Sequence, residues 1–289
     1  MSMKFYLSWL KSVWSAPGNR GRRWRALMSA FSWFVRVRFC HSAKIVRLYG
    51  GLRFACHNDS YMAKHVHYFS EFPDYDSMHF IDGFLREGDV FLDVGANAGL
   101  YCLLAGRGVG TSGTVIAVEP QPRNLEILRE NLALNPELKV ELHAVAASDV
   151  AGEVRIEGGD VYAGVSREAG VVVPAVRLDA CVQERLVVLA KIDVEGYEWP
   201  ALRGLEETIR AGRLPVFIFE MNGCLERYGM SADDFYTWLR SEGYTLGTYD
   251  HDSLRLTCSH SPQGDVTAFN LLGRKLMENR LPDVVITDS

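Results

Sequence analysis

The chain has 289 residues, 48% of them apolar, which suffices for one large or two small globular cores, so disorder is not the default reading. Its net charge of -5 hides a split: residues 1–58 carry eleven Lys and Arg and no Asp or Glu, leaving 20 basic against 36 acidic side chains in the remainder. Mean hydropathy is -0.03 and no apolar run approaches the roughly 20 residues that cross a bilayer, so an integral membrane protein is excluded.

Met1 to Val13 is interrupted by Lys4 and Lys11 and ends in no small-residue cleavage site. A secretory leader is not expected, and the protein is placed in the cytoplasm. The six cysteines (Cys40, Cys56, Cys102, Cys181, Cys224 and Cys258) form no Cys-x-x-Cys pair, which predicts buried reduced thiols.

In chain order, Pro17 to Gly21 separates residues 4–14 from a helix over 22–38, where Trp24, Leu27, Met28, Phe31, Phe34 and Val35 recur at helical spacing among Arg22, Arg23, Arg25 and Arg36. Two β-type runs, 44–49 and 52–56, flank Gly50-Gly51 as a two-residue hairpin. A helix over 77–85 leads to regular alternation. Strands are predicted near 89–94, 114–118, 138–145, 187–193, 215–220, 244–249 and 266–272, and helices near 98–106, 122–134, 178–185, 197–210 and 232–242. Continuous apolar strands such as Val216 to Phe219 predict a mainly parallel sheet covered on both faces, with the ligand beyond the strand carboxyl ends. Residues 152–176 read as an inserted hairpin around Gly158-Gly159. The predicted organisation is a basic, Trp-rich helical extension (1–43), a hairpin and helical lead-in (44–88), a catalytic domain (89–273) and a tail (274–289).

Val90 to Gly99 is an apolar strand delivering Asp93, Gly95, Asn97 and Gly99 into a helix start. The second glycine of the dinucleotide fingerprint is replaced by Asn97, which disfavours NAD. Glu119 ends the next strand 24 residues after Gly95, where a carboxylate can accept both hydroxyls of a ribose. Ser148 and Asp149, after the third strand, could reach an adenine edge; the alternative is that Glu119 and Asp149 are solvated loop acids.

These segments carry a resemblance. Phe91 to Gly99, Val118-Glu119-Pro120, Asn131 to Asn135, Ala147-Ser148-Asp149, Leu178-Asp179, Lys191 to Glu198 and Leu202-Arg203-Gly204 look like the FkbM family of S-adenosylmethionine-dependent methyltransferases. Gly50 to Phe54 and Phe72 to Tyr75 resemble what members carry upstream, and the similarity runs in order over residues 45–272. Lys191-Ile192-Asp193-Val194-Glu195-Gly196 is its most specific part. The resemblance implies an α/β fold, the Rossmann-like class I methyltransferase sheet of seven mainly parallel strands with helices on both faces. It implies S-adenosylmethionine as methyl donor, and a sugar or glycan hydroxyl as acceptor. It also implies that Asp93, Gly95, Asn97 and Gly99 surround the methionine end of the donor while Glu119 holds its ribose. The long basic N-terminus is not explained by the family pattern.

A hydroxyl acceptor needs its proton removed, and the candidates at the later strand ends are Asp193, Glu195 and Glu220. Asp193 could equally fix the donor's amino group, and Glu195 could be a first-turn helix acid. Asp193, Glu220 and Asn222 together offer a divalent-metal set. His65 and His67 read as a packed or solvated pair, His79 and His251 as acceptor-side loop residues, and Tyr162 as a turn residue near an acceptor pocket. The competing functions are RNA or amine methylation, disfavoured because Asp193-Val194-Glu195-Gly196 stands where amino-methylating enzymes carry Asn-Pro-Pro-Tyr, and a non-catalytic protein of the same fold. For the basic extension the readings are a helical cover on the domain, peripheral contact with an anionic membrane through residues 1–40 at its inner face, and nucleic-acid binding, which is the least favoured.

Overall fold

The computed structural model describes residues 10–40, 42–69, 72–158, 164–166, 170–221, 225 and 229–287. The amino-terminal part consists of helix α1 (Arg23–Phe39), an antiparallel pair β1 (Lys44–Arg47) and β2 (Arg53–Cys56), and helices α2 (Tyr61–Tyr68) and α3 (Tyr75–Phe84). There follow β3 (Val90–Val94), α4 (Leu100–Val109), β4 (Thr114–Val118), α5 (Pro122–Leu134), β5 (Val140–His143), β6 (Ala146–Ser148), β7 (Gly152–Glu157), β8 (Gly164–Ser166) and β9 (Val171–Arg177). The last third contains α6 (Leu178–Val182), β10 (Leu189–Ile192), α7 (Glu198–Arg203), α8 (Glu206–Arg210), β11 (Val216–Met221), α9 (Ala232–Ser241), β12 (Thr245–Asp250), β13 (Arg255–Cys258), β14 (Gly264–Phe269), α10 (Leu271–Arg280) and β15 (Val285–Thr287).

The main sheet has the order β15-β13-β12-β14-β11-β10-β3-β4-β5. Strands β5, β4, β3, β10 and β11 are parallel, and β14 inserts antiparallel between β11 and β12. This contains the expected seven-stranded class I methyltransferase sheet, widened at one edge by β13 and β15. Alternate side chains of each strand enter opposite cores, as the two-residue pleat requires. Phe91, Val115, Ala117, Leu189, Val216 and Ile218 pack on the α3–α4 side, whereas Leu92, Val94, Ile116, Ala190, Ile192, Phe217 and Phe219 pack on the other with Leu202 and Phe235. Both faces are thus buried, which is why these strands read as continuous apolar runs. The chain winds from β3 outward to β5, then returns to β10 on the other side of β3, so the topological switch lies at the carboxyl ends of β3 and β10.

Several local expectations are corrected. The β1–β2 connection is no two-residue hairpin: Arg47 pairs with Arg53, and residues 48–52 form the loop with a 3₁₀ turn at Tyr49–Gly51. The insertion is more than a hairpin, since β6, β9, β7 and β8 form a four-stranded sheet of their own. The helix expected over 197–210 is divided into α7 and α8 around Gly204, where a Cβ would lie 2.3 Å from the Ser148 carbonyl oxygen. Residues 274–287 of the expected tail are structured: α10 packs against α3 and β14, and β15 joins the sheet edge beside β13. Arg280 bonds Asp89 there, tying α10 to the entry of β3. The five described cysteines are free thiols, four buried and Cys40 partly exposed; Cys224 lies outside the described residues.

Candidate active site

A cleft of about 880 Å³, counting its open mouth, lies over the carboxyl ends of β3, β4 and β10. Asp93, Gly95, Asn97, Glu119, Lys191, Asp193 and Glu195 contribute to its wall, closed by apolar Met62 from α2, Ala146 and Ala147 from β6, and Ile156 and Val165 from the small sheet.

The floor is set by the turn after β3. Gly95 has φ +81°, and a Cβ there would fall 1.9 Å from the Asp193 carbonyl oxygen, so only glycine lets the β3 turn pass the end of β10. Asn97, also in the left-handed region at φ 49°, offers its side-chain oxygen to the Ala98 amide. Gly99 does not line the cleft; its φ is +87°, and its missing Cβ makes room for Leu128 of α5.

Glu119 is 4% exposed and accepts hydrogen bonds from the backbone amides of Asn97 and Gln121, each at 2.8 Å. Burial pushes its carboxyl up to about 7 against those donors. Asp93 is buried as well and accepts from the Cys102 thiol at 2.9 Å; burial raises it to about 6, while the thiol and Lys191 pull the other way. Ser148 and Asp149 do not line the cleft. Ser148 is buried on β6, and Asp149 is exposed with its carbonyl bonded to Arg177. The β6 residues in the wall are instead Ala146 and Ala147.

The three predicted catalytic acids come together. Single carboxylate oxygens of Asp193, Glu195 and Glu220 all lie within 4.8 Å of one another. Glu195 sits at φ 54°, a strained conformation for a non-glycine residue, in the turn between β10 and α7. The acid that secures this turn is Glu198, whose Oε1 accepts from the amides of Val194 and Gly196. Burial, reinforced by Asp193, Glu220 and Glu198, pushes the Glu195 carboxyl up to about 7. Asn222, the third member of the expected metal set, lies outside the described residues, as does Tyr162.

Lys191 opens the Lys-Ile-Asp-Val-Glu-Gly string, and its side chain has a place of its own in the site. It is 1% exposed, with Nζ 3.1 Å from Asp265 and 3.4 Å from Asp193, and it lies over the Tyr101 ring. Burial would lower its pKa, but Asp265, Asp193 and Asp74 hold it well above the ordinary lysine value. Ser77 donates to Asp265, and Tyr101 donates to Asp74. Asp74 is pushed up to about 7 by burial and by Asp265, so it is the protonated partner and Asp265 the charged one. The pleat explains the cluster: Asp93 and Lys191 are register partners on the face covered by α3 and α4. A charged residue in the apolar strand Leu-Ala-Lys-Ile was the available signal.

None of the described histidines lines the cleft. His67 stacks on Trp33 and His65 packs against Tyr61 and Phe69, with no metal-binding group around either among the described residues. His79 and His251 stack on each other at 3.8 Å.

An FkbM methyltransferase from Methylobacillus flagellatus superposes with TM-score 0.46 at 15% identity, covering 85% of this chain and 59% of its own length, so this chain spans less than two thirds of that protein. An S-adenosylmethionine-dependent O-methyltransferase from Thermotoga maritima gives TM-score 0.41 at 15% identity over 78% of this chain and 77% of its own. An rRNA methylase from Streptococcus thermophilus gives 0.40 at 14% identity over 68% and 94%. No curated protein sequence matches. The methyltransferase FkbM domain model matches residues 93–246, from the acid of β3 into β12. The chain therefore belongs to the FkbM methyltransferase family.

Proposed function

We propose that the cleft binds S-adenosylmethionine and that the protein methylates a hydroxyl group of a saccharide, a glycan or a similar metabolite. The observation that carries this reading is the convergence of Asp193, Glu195 and Glu220 beside a cleft floored by Gly95 and bordered by the buried Glu119. The cleft's donors and acceptors fit the donor molecule. Glu119 Oε1 accepts from the Gln121 amide and the Asn124 side-chain amide, whereas Oε2 receives the Asn97 amide and keeps a lone pair for a ribose hydroxyl. Asp93 and Asp193 supply carboxylates for an ammonium group, and the apolar patch from Ala146, Ala147, Ile156 and Val165 suits a flat heterocycle.

When bound, S-adenosylmethionine supplies an electrophilic sulfonium methyl group. This chain's residues must orient an acceptor oxygen and take its proton. Glu195, with its carboxyl near 7, is suited to act as that base at neutral pH, with Asp193 and Glu220 holding the acceptor hydroxyls. Lys191 keeps Asp193 in place.

The test is incubation with methyl-labelled S-adenosylmethionine and a panel of saccharides, lipid-linked glycans and RNA. Label recovered as a base-stable ether on a saccharide supports the reading, and label confined to RNA or to an amine overturns it. A second reading comes from the same carboxylate cluster, whose spacing allows a divalent cation to be shared by Asp193, Glu195 and Glu220. Full turnover after chelation with EDTA would remove it.

A further inference from the structure

Helix α1 has two opposite apolar faces. Ala26, Ala30 and Trp33 are buried against α2, where Trp33 stacks on His67 at 4.5 Å and Ser29 meets the same ring at 3.3 Å. At about 100° per residue, Trp24, Met28, Phe31, Val35 and Phe39 gather on the face turned away from that contact. They are 73%, 65%, 60%, 38% and 75% exposed. Five bulky apolar side chains thus point outward while Ala26, Ala30 and Trp33 pack inward, so the helix carries more apolar surface than covering the domain requires.

Cations border this face. Arg25 and Arg36 follow one edge of the helix and Arg23 and Arg38 the other. Beside α1 runs a groove lined by Arg22, Arg25, Lys44 and Arg47. The first acid in the sequence is Asp59. A bulky apolar strip between two rows of arginine matches the section through one leaflet of an anionic bilayer, with acyl chains below and phosphates at the rim. A second copy docking the same face would bring like charges together. RNA would have no use for aliphatic Met28 and Val35 among the rings.

We propose that α1 lies in the interfacial plane of an anionic membrane, with Trp24, Met28, Phe31, Val35 and Phe39 in the acyl boundary and the surrounding arginines on lipid phosphates. Because α1 packs on α2, and α2 sends Met62 into the cleft wall, the membrane-bound helix and the site share one supporting element.

The experiment is flotation of the full chain with vesicles of phosphatidylcholine alone and with 30% phosphatidylglycerol, at low and high salt, for wild type and for the double variant Phe31→Ser, Phe39→Ser. Both side chains are exposed, so circular dichroism melting should be unchanged and certify the fold. The expected result is binding on the order of tenfold stronger to the anionic vesicles, weakened by salt and lowered on the order of tenfold in the variant. Equal binding to neutral vesicles, full binding by the variant, or a wild type that ignores vesicles and instead dimerises or retains RNA through this face would overturn the proposal.

Discussion

Replacing Lys191 with Met keeps the length and apolar stem of the side chain and deletes only the buried ammonium. Asp265 and Asp193 then lose a partner at 3.1 and 3.4 Å. Removing one member of a fully buried pair costs about 3–5 kcal/mol. The Asp265 and Asp193 side chains retain 26% and 37% exposure, so solvent screens part of the loss, and about 2–3 kcal/mol is expected. At a urea dependence of about 3 kcal/mol per molar this moves the unfolding midpoint down by roughly 0.7–1 M. The pH dependence has a definite sign. In the folded protein burial raises the Asp265 carboxyl, but Lys191 and Ser77 outweigh it and hold it below its ordinary value. A carboxyl so depressed stabilises the fold above its unfolded pKa and loses that contribution as pH falls through the folded value. The raised lysine adds stability that disappears only above its ordinary pKa, outside the range tested. The gap between wild type and Lys191→Met should therefore be full at pH 7 and contract below about pH 4. Urea titrations followed by near-ultraviolet circular dichroism measure it. A midpoint shift below about 0.2 M at pH 7, or a gap that widens on acidification, would refute the account of this cluster.

Gly95→Ala places a Cβ against the Asp193 carbonyl at a φ of +81°, so a loss of about 2–4 kcal/mol and at least about tenfold weaker S-adenosylmethionine binding are expected by urea titration and calorimetry. Wild-type values for both would show that the close approach of β3 to β10 does not shape the cleft. Glu195→Gln should lower kcat by about 10²–10⁴ with S-adenosylmethionine affinity nearly unchanged. Because the wild-type carboxyl titrates near 7 and must be ionised to accept a proton, the wild-type rate should rise between about pH 6 and 8. A flat profile there, or a fully active Gln variant, removes Glu195 as the base.

The sequence alone determined the strand-turn-helix order, and with it the strand-end positions of Asp93, Glu119, Asp193 and Glu195, because hydrophobic period and turn glycines are local properties. The lysine in Leu189–Ile192 was visible too, but its partners were not. Asp265 is 74 residues away, and Ser77 reaches Asp265 across 188. Only the sheet order brings them to one face. Short edge elements such as β13 and β15 leave too brief a pattern to read, since their stability comes from pairing with neighbours. Ser148 and Asp149 were drawn toward the donor by their place after a strand, yet β6 turns into the small sheet and presents alanines instead. Helix α1 shows the same division. Its spacing predicts a helix with an apolar stripe, but two stripes satisfy that period, and packing against α2 decided that Ala26, Ala30 and Trp33 are buried and the stripe from Trp24 to Phe39 faces outward.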